Sequence, residues 1–128
     1  MTTPLRSRRL KLAVGYLLIW HLGVAAVAYP FLRQTVAQDA RSTADIGFVL
    51  AFLLVAFTLY GAWMCRAWSR YALAVLLLVH FVSGLGDVLE LNVAGLLYLS
   101  FAAADTIALD EVQKSSGLKL PWFLSWLR

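Results

Sequence analysis

The chain has 128 residues, 62% of them hydrophobic and 14% charged, against usual shares of about 45–50% and about 25%. That excludes a soluble domain, because a fold this small needs polar side chains over most of its surface; the length allows one domain. The net charge of +4 does not point to nucleic acid, since the basic residues flank apolar runs instead of lining one polar face.

A helix needs about 20 mainly apolar residues to cross the hydrocarbon core of a bilayer. Residues 12–32 meet that requirement, with His21 as their only titratable group near the centre. Arg6, Arg8, Arg9 and Lys11 precede them. This basic start, with Ala26-Val27-Ala28 further on, imitates a cleavable signal peptide, and Ser7-Arg8-Arg9 hints at a twin-arginine signal. The apolar run continues past that site to Leu32, which favours a retained anchor. A first loop of residues 33–45 leads to a second uncharged span, residues 46–65. Residues 70–89 form a third and residues 92–109 a fourth, each with acids near its end. The link between these two is short, which predicts a tight antiparallel hairpin, and Asn92 is placed to cap the fourth helix. Residues 110–128 form a tail whose end, with Trp122, Trp126 and Arg128, suits a short segment lying in the headgroup layer. The predicted fold is therefore an all-α integral membrane bundle of four transmembrane helices.

Lys and Arg in the short loops set orientation. Arg6, Arg8, Arg9 and Lys11, then Arg66 and Arg70, then Lys114, Lys119 and Arg128 fall on one side. The other side has only Arg33 and Arg41, with Asp39 and Asp45 beside them. Both termini are expected in the cytoplasm and the protein in the cell (inner) membrane.

Helices in lipid associate through close packing at small residues. Helix 2 offers such a seam in Gly47, Ala51, Leu54, Thr58, Gly61 and Cys65. Helix 1 presents His21, Ala25 and Ala28 on one face, and helix 4 presents Gly95, Tyr98, Ala102 and Asp105. On helix 3, His80, Ser83, Asp87 and Glu90 share a face, which must look inward or towards a partner because polar groups in lipid are costly. Asp87 and Glu90 lie near the external surface. His21 and His80 sit at equal depth on parallel helices, about 14 Å from the cytoplasmic edge. Two imidazoles so placed suit ordinary hydrogen bonds to a backbone carbonyl or Thr58, a proton pathway, or the binding of a b-type haem or a quinone. Asp105, counted from Leu109, lies about 6 Å inside the cytoplasmic edge, where pairing with Arg66 or Arg70 is expected. Cys65, the one cysteine, reads as a packing residue, and no Cys/His spacing suggests a metal.

No nucleophile–base pair, metal set or phosphate cradle marks an enzyme. The leading expectation is a non-catalytic interaction protein: an accessory subunit of a membrane complex, or an immunity-type protein. Its partners would be the lipid bilayer and a membrane protein or a second copy of itself, with no cofactor and no nucleic acid. Two alternatives stand beside it. One is an oligomeric small transporter or channel with a polar path at His21, His80, Asp87 and Asp105; the other is a haem- or quinone-binding subunit using His21 and His80.

Overall fold

The computed structural model describes residues 7–116. They form four helices: α1 (Arg8–Thr35), α2 (Arg41–Trp63), α3 (Ser69–Leu89) and α4 (Ala94–Ser116), with a single 3₁₀ turn (Gln38–Ala40) before α2. Short connections make consecutive helices antiparallel neighbours. α3 and α4 share the most extensive interface, α4 also packs on α1, and α2 bridges α1 and α3. α1 and α3 therefore face each other diagonally across the bundle. One end of the bundle carries the α2–α3 connection, the start of α1 and the end of α4, and is called here the terminal end. The other carries the α1–α2 and α3–α4 connections and is called the hairpin end.

Local signals account for the helix limits. Ser7 caps α1, its hydroxyl oxygen accepting the Leu10 N–H at 3.1 Å, and so satisfies one of the unpaired donors of the first turn. α2 and α3 stop in the same way. The Arg66 N–H reaches the Gly61 carbonyl at 2.9 Å and the Cys65 N–H reaches Ala62 at 3.0 Å; at the other end Asn92 reaches Asp87 at 2.7 Å and Leu91 reaches Val88 at 3.0 Å. These are Schellman closures, which need a left-handed residue after the cap. Cys65 (φ 50°) and Leu91 (φ 59°) fill that position, although glycine would do so without the steric cost of a Cβ. The Asn92 side-chain oxygen accepts from Ala94 N–H at 3.1 Å, which gives it a capping contact at the start of α4.

The first predicted loop is shorter than expected. α1 runs on to Thr35 and α2 starts at Arg41, so most of residues 33–45 is helical. At the other limit, α4 continues through Ser116, so residues 110–116 of the tail expected to leave the bundle after Leu109 stay helical. Trp122, Trp126 and Arg128, on which the expected headgroup-layer segment rests, lie outside the described residues.

α1, α2 with its 3₁₀ turn, and α3 are long and apolar enough to cross a membrane. α4 differs in composition for a physical reason. It is packed on three helices and buries Phe101, Ala102, Ala104, Asp105, Ala108, Leu109 and Val112. A helix so covered needs small residues for close approach more than large apolar ones for lipid, and its acids can be answered by protein.

Burial is concentrated at the terminal end. α1 buries Leu10, Ala13, Val14 and Leu17 and nothing beyond; α2 buries Thr58, Leu59, Gly61 and Ala62 and nothing before. Towards the hairpin end only α3 and α4 stay in tight contact. A Cβ on Gly95 would lie 2.7 Å from the Gly84 carbonyl oxygen, and one on Gly84 would lie 2.8 Å from the Leu99 side chain. The backbones meet there because neither residue carries a side chain.

Candidate functional site

The polar centre lies where the packed and open parts meet. His21 comes from α1, His80 from α3 and Asp105 from α4, each on an inward face. His80 is 5% exposed and Asp105 0%. The three form one line of hydrogen bonds. The Asp105 Oδ2 atom is 2.5 Å from His80 Nδ1, His80 Nε2 is 3.3 Å from His21 Nε2, and His21 Nδ1–H donates to the Leu17 carbonyl oxygen at 2.6 Å. Phe101, 2% exposed, stacks on His21 at 4.8 Å between centroids and meets His80 edge-on at 5.3 Å. Its ring covers one side of the line.

These bonds fix the proton count. A carbonyl oxygen only accepts, so His21 Nδ1 carries a hydrogen. One further hydrogen must lie between the two Nε2 atoms, and one between His80 Nδ1 and Asp105. Three protons on one carboxylate and two imidazoles leave the set neutral overall. Within that count, the charge has only three distributions: all three groups neutral, Asp105⁻ with His80⁺, or Asp105⁻ with His21⁺. The fourth combination strips His80 of every proton and is excluded. Two short proton shifts therefore carry a positive charge from the Asp105 end to His21, with no side chain rotating. The second oxygen of Asp105 is buried and has no hydrogen-bond partner among the described residues.

His21 also forms the floor of a cavity of about 280 Å³ that follows successive turns of α1 and α2 towards the hairpin end, past Ala25, Ala28, Phe48 and Ala51, with Tyr98 on its far wall. At its rim Tyr29 stacks on Phe48 at 4.5 Å and its hydroxyl donates to Asp45. Arg33 Nε meets the same carboxylate at 3.3 Å. In the opposite direction the line is sealed by buried Leu10, Leu17, Leu73 and Val112.

The expected residues divide between those that meet and those that do not. His21 and His80 lie side by side, as their equal depth implies, but they bond to one another and to Asp105. Thr58, offered as a local partner, instead bonds the Leu54 carbonyl at 2.8 Å. The expected placement of Asp105 near the cytoplasmic edge is corrected: α4 continues well past Leu109, so Asp105 lies deep beside His80 and away from Arg66 and Arg70. Ser83 and Asp87 are partly exposed and Glu90 is exposed. Among the described residues these three make no side-chain hydrogen bond to the line, so the polar path stops at His80 and does not include Asp87. The helix 2 seam is also half corrected. Thr58 and Gly61 are buried, with the Trp68 ring laid over Gly61, while Gly47 and Ala51 are exposed and no atom comes within 4 Å of a Cβ on Gly47. Phe101 went unnoticed in the sequence; its position four residues before Asp105 on the same helical face was the available signal.

A haem ligated between the two histidines does not fit this arrangement. The Nε2 atoms that would bind iron are in direct hydrogen-bond contact, and His80 Nδ1 is held by Asp105. The three groups lie in a line and do not converge on a point. Among the described residues no three His, Cys, Asp or Glu side chains are grouped as metal ligands would be. Compared with known proteins, the chain matches no family model, no curated protein and no solved structure.

Proposed function

We propose that this chain is a four-pass protein of the cell membrane, with both termini in the cytoplasm, and that it couples proton movement to transport. The observation that carries the reading is the Asp105–His80–His21 line ending at the floor of a cavity that follows α1 and α2 to the hairpin end. A buried ionisable group in a membrane is costly unless paired, and a line of them reaching accessible space is what a proton relay requires. The basic residues of the N-terminal segment, the α2–α3 turn and the end of α4 favour the terminal end as cytoplasmic. Asp105 does not count against passage by α4, because its charge is answered by His80 inside the bundle.

The test is proton flux in proteoliposomes loaded with a pH-sensitive dye. Wild-type protein is expected to dissipate an imposed pH gradient faster than protein-free vesicles. Asp105→Asn, which keeps a hydrogen-bonding side chain without a mobile carboxyl proton, is expected to abolish that excess while remaining folded. Flux equal to that of empty vesicles, or unchanged in Asp105→Asn, removes the reading.

A second reading keeps the protein as an accessory subunit or interaction protein. It is favoured by the hairpin-end half of the α2 stripe, where Gly47, Ala51 and Leu54 are left uncovered by the chain's own helices. A second membrane helix could approach closely there. Cysteine crosslinking from position 47 separates the two: a defined adduct supports an interface, and only background adducts speak against one.

A further inference from the structure

A cavity of about 740 Å³ is not part of the relay. It is a groove between α1 and α4 at the terminal end, with Leu12, Ala13, Ile19, Ala103 and Ile107 among its walls. Among the described residues, Gly15 lies in it with no atom within 4 Å of a Cβ, so the floor is open along the α1 side. Its deep end is marked by the Tyr16 hydroxyl, which bonds Ser100 Oγ at 2.7 Å. Its rim carries charges of both signs: Arg9 and Lys11 from α1, Asp110 and Glu111 from α4.

Length and charge together identify an occupant. From Arg9 to Ile19 the groove follows α1 for ten residues, about 15 Å, which is half the ~30 Å hydrocarbon core. An apolar slot one leaflet deep, with a charged rim at headgroup level, matches a single membrane lipid. Two cations on one wall suit a phosphate. The facing acids suit a primary ammonium, which can donate hydrogen bonds as well as carry charge. Lys114 answers Asp110 at 2.5 Å, and that carboxylate holds the Lys114 ammonium pKa above its ordinary value. Glu111 meets the same lysine at 3.4 Å with its side chain 10% exposed, which leaves acceptor positions for a second ammonium.

We propose that this groove binds one amine-bearing glycerophospholipid of the phosphatidylethanolamine type, with its phosphate on Arg9 and Lys11, its ammonium on Glu111, and an acyl chain along Gly15. The site is separate from the proton relay and stands or falls independently of it. Anionic phosphatidylglycerol would use the basic wall alone; phosphatidylcholine would bring a cation without N–H donors.

The experiment is native mass spectrometry of the full chain extracted from bilayers of phosphatidylcholine mixed one-to-one with phosphatidylethanolamine, and separately with phosphatidylglycerol. One retained phosphatidylethanolamine per chain is expected, enriched about tenfold over phosphatidylcholine and preferred over phosphatidylglycerol. Glu111→Gln is expected to reduce that enrichment to about twofold or less. Arg9→Gln with Lys11→Gln should lose retention of phosphatidylethanolamine and phosphatidylglycerol alike. Gly15→Leu fills the open floor without touching the rim, and should lose the lipid while circular dichroism stays unchanged. Equal retention of phosphatidylcholine overturns the proposal, as does preference for phosphatidylglycerol. A lipid-free dimer would overturn it too, by putting a second copy of the chain in the groove.

Discussion

At the hairpin end, the two helix pairs are built in opposite ways. α3 and α4 meet at Gly84 and Gly95 so closely that an added methyl would overlap the facing backbone. α1 and α2 bury nothing at that end and are joined by side chains at the rim: Tyr29 on Phe48, and Tyr29 and Arg33 on Asp45. The relay is divided between the pairs. His80 and Asp105 stand on the tight one, where close packing fixes their geometry, and His21 stands on the loose one, where a cavity reaches it. In the proposed relay, one pair holds the proton-bearing groups in register and the other provides access through its cavity.

The largest effect separates the pairs directly. Gly95→Leu should prevent stable folding or lower the melting temperature in detergent steeply, since the facing Gly84 carbonyl has no rotamer with which to yield. Overpacking of a fitted core ordinarily costs about 1–3 kcal/mol and sometimes more. Gly47→Leu, on the loose pair, should be nearly silent. Equal sensitivity at positions 47 and 95 would erase the distinction.

Asp105→Ala comes next. It leaves the His80 ring nitrogen unpaired in a dry interior, at about 1–3 kcal/mol, whereas Asp105→Asn should retain most of the stability. If both variants melt together, the carboxylate's hydrogen bond contributes little and the tight pair is held by packing alone.

These contrasts also show what sequence could and could not reveal. The equal depth of His21 and His80 follows from counting 1.5 Å per residue from two basic edges on parallel helices, so their meeting was readable. Asp105 was misplaced because Asp110 and Glu111 look like the end of a membrane span, whereas α4 continues to Ser116 and buries Val112 and Gln113 beyond them. Periodicity finds the α2 stripe from Gly47 to Cys65, but a stripe does not say whether its far side meets protein, a cavity or lipid. The same applies to the face of His80, Ser83, Asp87 and Glu90, where one pattern covers a buried ligand of the relay and three residues that have no part in it.

A milder effect is expected at the rim of the loose pair. Tyr29→Phe with Asp45→Asn removes its polar clasp, which is largely solvent-facing, so stability should change by no more than about 1 kcal/mol. Labelling of an Ala51→Cys probe by a water-soluble maleimide should nevertheless accelerate severalfold. An unchanged labelling rate would mean that the clasp does not control entry to the cavity. The smallest effect belongs to the turn of the tight pair. Leu91→Gly relieves a left-handed conformation worth roughly 1–2 kcal/mol, offset in part by the entropy of glycine, and should raise the melting temperature slightly.

In the proposed relay, one line of bonds shares a fixed set of protons among Asp105, His80 and His21. Side-chain ¹⁵N nuclear magnetic resonance of histidine-labelled protein in nanodiscs tests it most directly, since the chain contains only two histidines. The expected result is a His21 Nδ1 that stays protonated, a coupling between the two Nε2 nuclei across their shared hydrogen, and no condition of the folded protein in which both rings are imidazolium. Asp105→Asn should shift the His80 resonances and, through the shared bond, those of His21. Two histidines that titrate independently, each gaining a full charge without disturbing the other, would contradict it.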